Sequence, residues 1–273
     1  MLIDTHAHLN FNAYKDDTDE VIRRSLDNDV WMINVGSTYE TSKRAIEISK
    51  RYEKGVYAAT GLHPIHLAEG IFKTKLDTEE ISFQTKNEEF DYLKYKYLAQ
   101  SEKVVAIGEI GLDYYYRPKT KVKLEAFKEK QRETFLKQLD LAKELSLPVI
   151  FHCRMAHDEL IEILKRYNGK IQGVIHCFTG AKEQAEKYLG MGFYLGFNGI
   201  IFKLNLDEII EKAPLDRILV ETDCPYLTPP QKDGRNEPIY VKYVAERIAK
   251  IKKLSYEEIL EATTKNAKNL FNI

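Results

Sequence analysis

A TIM-type (β/α)8 barrel, folded as a single domain over residues 1–273 with its site at the C-terminal mouth, is the architecture this sequence predicts. Three observations lead there. Short apolar runs rich in β-branched residues alternate with longer amphipathic stretches, as in βα units built around a parallel sheet. Eight such runs can be counted, and 273 residues suit a fold that typically takes roughly 250. Several runs also end in histidine or a carboxylate, and in this fold all strand ends converge on one mouth.

The runs are Leu2 to His6, Trp31 to Gly36, Val56 to Thr60, Val104 to Glu109, Val149 to Cys153, Gly173 to Cys177, Phe193 to Phe197 and Ile218 to Asp223. Several are continuously apolar, as strands covered on both faces should be. Leu124, Phe127, Phe135, Leu139, Ala142 and Leu145 share a face, so the longest helix precedes the fifth strand and ends before Pro148. Asn236 is placed to cap a helix with Pro238 in its first turn, and Ser255 with Glu258 forms a capping box for the last helix. The segment Glu69 to Glu102 is longer than a barrel needs, and reads as a helix with an embellished loop. Its Tyr92, Lys94, Tyr95, Lys96 and Tyr97 read as a solvated helix face.

Composition narrows the functional classes. A formal net charge of -1 rules out nucleic-acid binding through a bulk basic field, so a local positive site has to do it. The start MLIDTHAHLN leaves no room for a signal sequence, and no stretch approaches membrane-spanning length, so a cytoplasmic protein is expected. Cys153, Cys177 and Cys224 lack CxxC spacing and suit a reducing compartment. Each follows a proposed ligand, so on a strand all three should point into the layer between barrel and helices as small core residues.

The chemistry lies in the run ends. In DTHAH, a strand period of two puts His6 and His8 on one face. Glu109, His152, His176 and Asp223 end four further runs, so five strands aim six ligand-type side chains into one volume. Burying that set without a cation is costly, which points to metal. Six ligands exceed a closed tetrahedral site but fit two open ones sharing a carboxylate, with Glu109 the natural bridge. Zinc, magnesium or manganese all suit two divalent ions held by nitrogen and carboxylate. Such a centre favours anionic substrates, and a hydroxide held by the ions could attack phosphorus, with Asp223 orienting it and taking its proton. Glu109 and Asp223 are therefore the expected catalytic residues.

Around this centre, His63 in GLHP is a substrate contact or proton donor, and Arg154, two residues after His152, can grip phosphate bidentately. Arg235 and Asn236 in the loop after the last strand stand before a helix whose N–H groups can hold an anion. Asn198 in GFNG is a further candidate donor to substrate.

Taken together, DTHAHL, GLHP, GEIGLDYY, FHCR, HCFTG and ETDCPYLTPP followed by RNEP resemble the TatD family of metal-dependent deoxyribonucleases over nearly the whole chain. The resemblance implies that His6, His8, Glu109 and Asp223 bind one metal and that Glu109, His152 and His176 bind the other. It implies a magnesium- or zinc-dependent nuclease, often a 3′ exonuclease on single-stranded DNA or RNA. The expected partner is then a single-stranded DNA substrate, with no membrane and no obligate protein partner. The Glu69 to Glu102 segment departs from the family pattern. The competing expectation is a dinuclear amidohydrolase or esterase acting on a small molecule or an aminoacyl ester. Arg154 and Arg235 discriminate: if both face the metals, phosphate is favoured.

Overall fold

The computed structural model describes residues 1–68, 88–115, 117–167 and 169–273. Eight parallel strands pair in sequence order, from β1 (Leu2–Ala7) through β2 (Val30–Val35), β3 (Val56–Thr60), β4 (Val104–Asp113), β5 (Val149–Arg154), β6 (Gly173–Ile175) and β7 (Tyr194–Phe197) to β8 (Ile218–Val220). The circle is closed between the ends of β1 and β8. Ala7 bridges Cys224, the His8 amide donates to the Cys224 carbonyl at 3.0 Å, and the Asp223 amide donates to the His6 carbonyl at 2.8 Å. The seam thus runs through three of the predicted ligands.

Around the barrel pack α1 (Thr18–Leu26), α2 (Tyr39–Ser49), α3 (Tyr92–Ala99), α4 (Lys121–Leu145), α5 (His157–Lys165), α6 (Lys182–Gly190), α7 (Asp207–Lys212), α8 (Val241–Lys252) and α9 (Tyr256–Phe271). The predicted long helix is α4, whose Phe127, Phe135, Leu139 and Ala142 are buried. Of the Glu69 to Glu102 segment, positions 69–87 lie outside the described residues, and α3 occupies part of the remainder. Tyr95 of α3 is 1% exposed and Tyr97 is 75% exposed, so the tyrosines do not all lie on a solvated face. The Ser255–Glu258 capping box starts α9. The expected cap at Asn236 is displaced: Glu237 precedes a short 3-10 turn, Pro238–Tyr240, before α8 begins.

The barrel interior is filled by Ile3, Ile33, Val105, Ile150, Val174 and Leu219, and Leu270 and Phe271 of α9 join this layer. Asn266 of the same helix donates to the carbonyls of Leu215 and Ile218 at the start of β8. The last helix therefore seals the bottom of the barrel, leaving the opposite mouth for polar groups. Among the described residues, no helix is long and apolar enough to cross a membrane.

Candidate metal centre

Two strands carry an extra residue where they present a ligand. Between Asp4 and Ala7, β1 advances three positions while β2 advances two, and β4 does the same against β5 between Ile107 and Ile110. Such bulges re-aim side chains and break the simple alternation. His6 and Glu109 lie within them. The predicted strand ends move accordingly: β4 runs on past Glu109 to Asp113, while β6 and β8 stop at Ile175 and Val220, short of His176 and Asp223. Asp223 then sits in a turn at φ 58°.

The six predicted ligands do come together. His6 Nε2 is 3.1 Å from His8 Nε2, 3.4 Å from Glu109 Oε2 and 3.8 Å from Asp223 Oδ1. Asp223 Oδ1 is 3.5 Å from His8 Nε2 and 3.7 Å from His176 Nε2. Glu109 stands between two groups, its Oε1 lying 2.6 Å from His152 Nδ1 and 3.8 Å from His176 Nε2. The rings of His6 and His176 stack at 3.5 Å.

Whether these residues fit metal is decided by the outer nitrogens. His8 Nδ1 lies 2.8 Å from the Val35 carbonyl, which can only accept, so Nδ1 carries the proton and Nε2 faces inward as a lone pair. His176 Nδ1 is 2.8 Å from Glu221 Oε1, and His152 Nε2 is 3.0 Å from Asp113 Oδ2. His8 and His152 are thus held from outside by an acceptor, with the inner nitrogen available, as metal-ligating histidines are, and at His176 a carboxylate stands beside the outer nitrogen. His6 Nδ1 is buried without a hydrogen-bond partner, and its Nε2 faces the same space. The set fits divalent cations.

The electrostatics agree. Burial pushes His6 down to about 4, with His176 adding to the effect. Burial also acts to lower His152 and His176, but Glu109 and Asp113 raise the first to about 9, and Glu221, Asp223 and Glu109 raise the second to about 10. His8 is raised because Asp223 and Glu109 outweigh its burial. For Glu109, burial is outweighed by His63, His152, His176 and His6, which hold its carboxyl well below the usual range. A pocket so rich in carboxylates draws positive charge, either as protons on its histidines or as metal in their place.

The remaining predicted residues divide. His63 Nε2 is 3.5 Å from Glu109 Oε1, and its Nδ1 accepts from the Ile65 amide at 3.1 Å. Nε2 therefore carries the proton of the neutral ring and points a donor, not a lone pair, at the centre. Arg154 stays at the mouth, held by Asp113 and laid over the Tyr115 ring at 4.4 Å. Arg235 faces elsewhere: it pairs with Asp17, donates to the Ala13 carbonyl and stacks on Tyr14 at 4.1 Å. Asn236 spends its amide on the carbonyls of Thr222 and Tyr226. Asn198 is fully buried, donating to Glu221 and accepting from the Ile200 amide. These three secure loops instead of facing the centre, so only one of the two discriminating arginines stands beside it.

Sequence reasoning passed over three groups. Asp113 and Glu221 are buried carboxylates beside the outer nitrogens of His152 and His176, and no spacing along the chain pointed to them. Cys177 was expected in the apolar layer. With β6 ended at Ile175, strand alternation no longer applies, and at φ 44° Cys177 turns its thiol to within 4.8 Å of ligand atoms of His176 and Asp223. Cys153 and Cys224 are buried as expected.

The chain matches the family model described as TatD related DNase over residues 3–272. It is 43% identical over 279 residues to the uncharacterized metal-dependent hydrolase YabD of Bacillus subtilis (strain 168), with 100% of each covered. It is 32% identical over 286 residues to the 3'-5' ssDNA/RNA exonuclease TatD of Erwinia tasmaniensis, again covering 100% of each. The crystal structure of YJJV, a TatD homolog from Escherichia coli K12, superposes with a TM-score of 0.82 at 29% identity, covering 100% of this chain and 98% of that one.

Proposed function

Since the chain belongs to the TatD related DNase family of metal-dependent hydrolases, we propose that it removes nucleotides from the 3′ end of single-stranded DNA with two divalent ions bound at the mouth. The observation that carries this reading is the convergence of inward-facing nitrogens of His6, His8, His152 and His176 with Glu109 and Asp223, beside Arg154. A relative at 32% identity carries the name of a 3'-5' ssDNA/RNA exonuclease, which supports the substrate class.

His6, His8, Glu109 and Asp223 would hold one ion, and Glu109, His152 and His176 the other. Bound there, such ions polarise a phosphoryl oxygen and lower the pKa of an attacking water. Asp223 is placed to orient that water and accept its proton. Arg154 offers a guanidinium to a non-bridging phosphate oxygen. His63 offers its Nε2–H to the same phosphate or to the departing oxygen. A cytoplasmic location belongs to the same reading.

End-labelled single-stranded oligonucleotides incubated across zinc, magnesium and manganese should shorten from the 3′ end. Glu109→Ala and Asp223→Asn should lose at least about 10²-fold in kcat at saturating metal. Wild-type rates in both variants would defeat the assignment.

A further inference from the structure

We propose that Asp113 is a positioning residue that ties the metal centre to the substrate grip through one carboxylate oxygen. The inference rests on the hydrolase reading above and deepens it. Asp113 lies four residues beyond Glu109 on β4 and is 2% exposed. Its two oxygens have separate duties. Oδ1 accepts from the Tyr115 amide at 2.9 Å. Oδ2 accepts from His152 Nε2 at 3.0 Å and from Arg154 Nε at 3.0 Å, and stands 2.9 Å from Arg154 Nη2.

The backbone that carries this carboxylate is itself fixed. The Asp113 amide donates to Gln131 Oε1 at 2.8 Å, and Gln131 Nε2 donates back to the Asp113 carbonyl at 2.9 Å, from a fully buried position on α4. Two consequences follow. His152 is held with its proton on Nε2, so Nδ1, 2.6 Å from Glu109, is the atom offered to an ion. Arg154 is held at one place on the rim. Because Oδ2 serves both, anything that changes its bond to His152 changes its hold on Arg154. Asparagine cannot substitute. It has one acceptor oxygen, so satisfying the Tyr115 amide leaves an NH2 facing two donors, and the reverse leaves an NH2 facing the amide.

The test begins with binding. Metal-free protein titrated calorimetrically with manganese(II) reports ion affinity independently of turnover. Asp113→Asn should weaken one ion by about 10- to 100-fold while leaving the other within about three-fold, the size expected when an outer partner of a ligating histidine is lost. At saturating manganese its KM for a single-stranded oligonucleotide should rise more than its kcat falls. Arg154→Ala should raise KM in the wild-type background and add less in the Asn background, since coupled residues are not additive. Wild-type affinity for both ions in Asp113→Asn, or additive KM effects, would overturn the coupling.

Should the Asn variant not fold, Arg154→Ala carries the test alone at a position whose side chain is 38% exposed. With all of Oδ2 left to His152, one ion should bind about three-fold or more tighter and the other unchanged. A uniform change at both ions, or none, overturns the proposal. Failure of the wild type to bind manganese at all would instead remove the hydrolase reading beneath it.

Discussion

Glu109 is touched by four imidazoles, yet they do not play one part. His152 Nδ1, His6 Nε2 and His176 Nε2 face it as lone pairs or can do so, whereas the Ile65 amide commits His63 to presenting an N–H. His63→Ala is therefore expected to lower kcat by roughly 10²-fold while leaving manganese affinity within a factor of about two, because a donor and not a ligand is removed. Measuring metal content beside steady-state rates separates the two, and a loss of one bound ion would make His63 a ligand. Away from the centre, His157 is 7% exposed at the start of α5, with Tyr188 Oη 3.2 Å from its Nδ1. Burial, with Asp158 opposing it weakly, holds it at about 4 against an ordinary 6.5. Between those values the unfolded chain binds a proton that the folded one does not. The contribution is full above pH 6.5 and is lost as pH falls towards 4, reaching about 3 kcal/mol. His157→Gln should show a shallower fall in unfolding midpoint between pH 7 and 5, and equal slopes would refute this.

At the scale of elements, the two bulged strands decide where the ligands point. The extra residue in β4 turns Glu109 into the centre and lets the strand continue to Asp113, so one strand delivers both Glu109 and the outer acceptor of His152. This crossing is tight. Gly111 has φ 150°, and a Cβ there would lie 2.0 Å from the His152 carbonyl oxygen. Gly111→Ala should force β4 and β5 apart, destabilising the fold by about 3 kcal/mol or more and weakening ion binding at His152. A chemical denaturation midpoint within error of wild type would contradict this account. The seam between β1 and β8 has a comparable role: Thr222, just past β8, donates its amide and hydroxyl to Asp4 of β1, at 2.8 and 2.5 Å, locking together the segments from which His6, His8 and Asp223 project.

For the molecule as a whole, the proposed metal site would share with the fold residues contributed from positions 6 to 223. Binding that is specific to the folded state stabilises it by mass action, about 4 kcal/mol at a thousandfold excess over Kd. For a chain of this size that is a rise in Tm of roughly 10 °C. Removing divalent ions with a chelator should lower Tm by that amount, and readdition should restore it. An unchanged Tm would mean that the closed seam and the buried pocket stand without ions.

The sequence by itself determined the alternation of strands and helices, the convergence of strand ends and the residue types at those ends, because apolar periodicity and parallel closure are local signals summed along the chain. His6, His8, Glu109, His152, His176 and Asp223 were legible for that reason. Only the tertiary structure decided which atoms face inward. Bulges in β1 and β4 shift the register, the early ends of β6 and β8 release Cys177 and Asp223 from strand alternation, Arg235 is drawn to Ala13 and Asp17 at the other end of the chain, and Asn236 and Asn198 are taken up by the loops after β8 and β7. Asp113 and Glu221 acquire meaning only through His152 and His176, contacts across 39 and 45 positions that no spacing along one strand can announce.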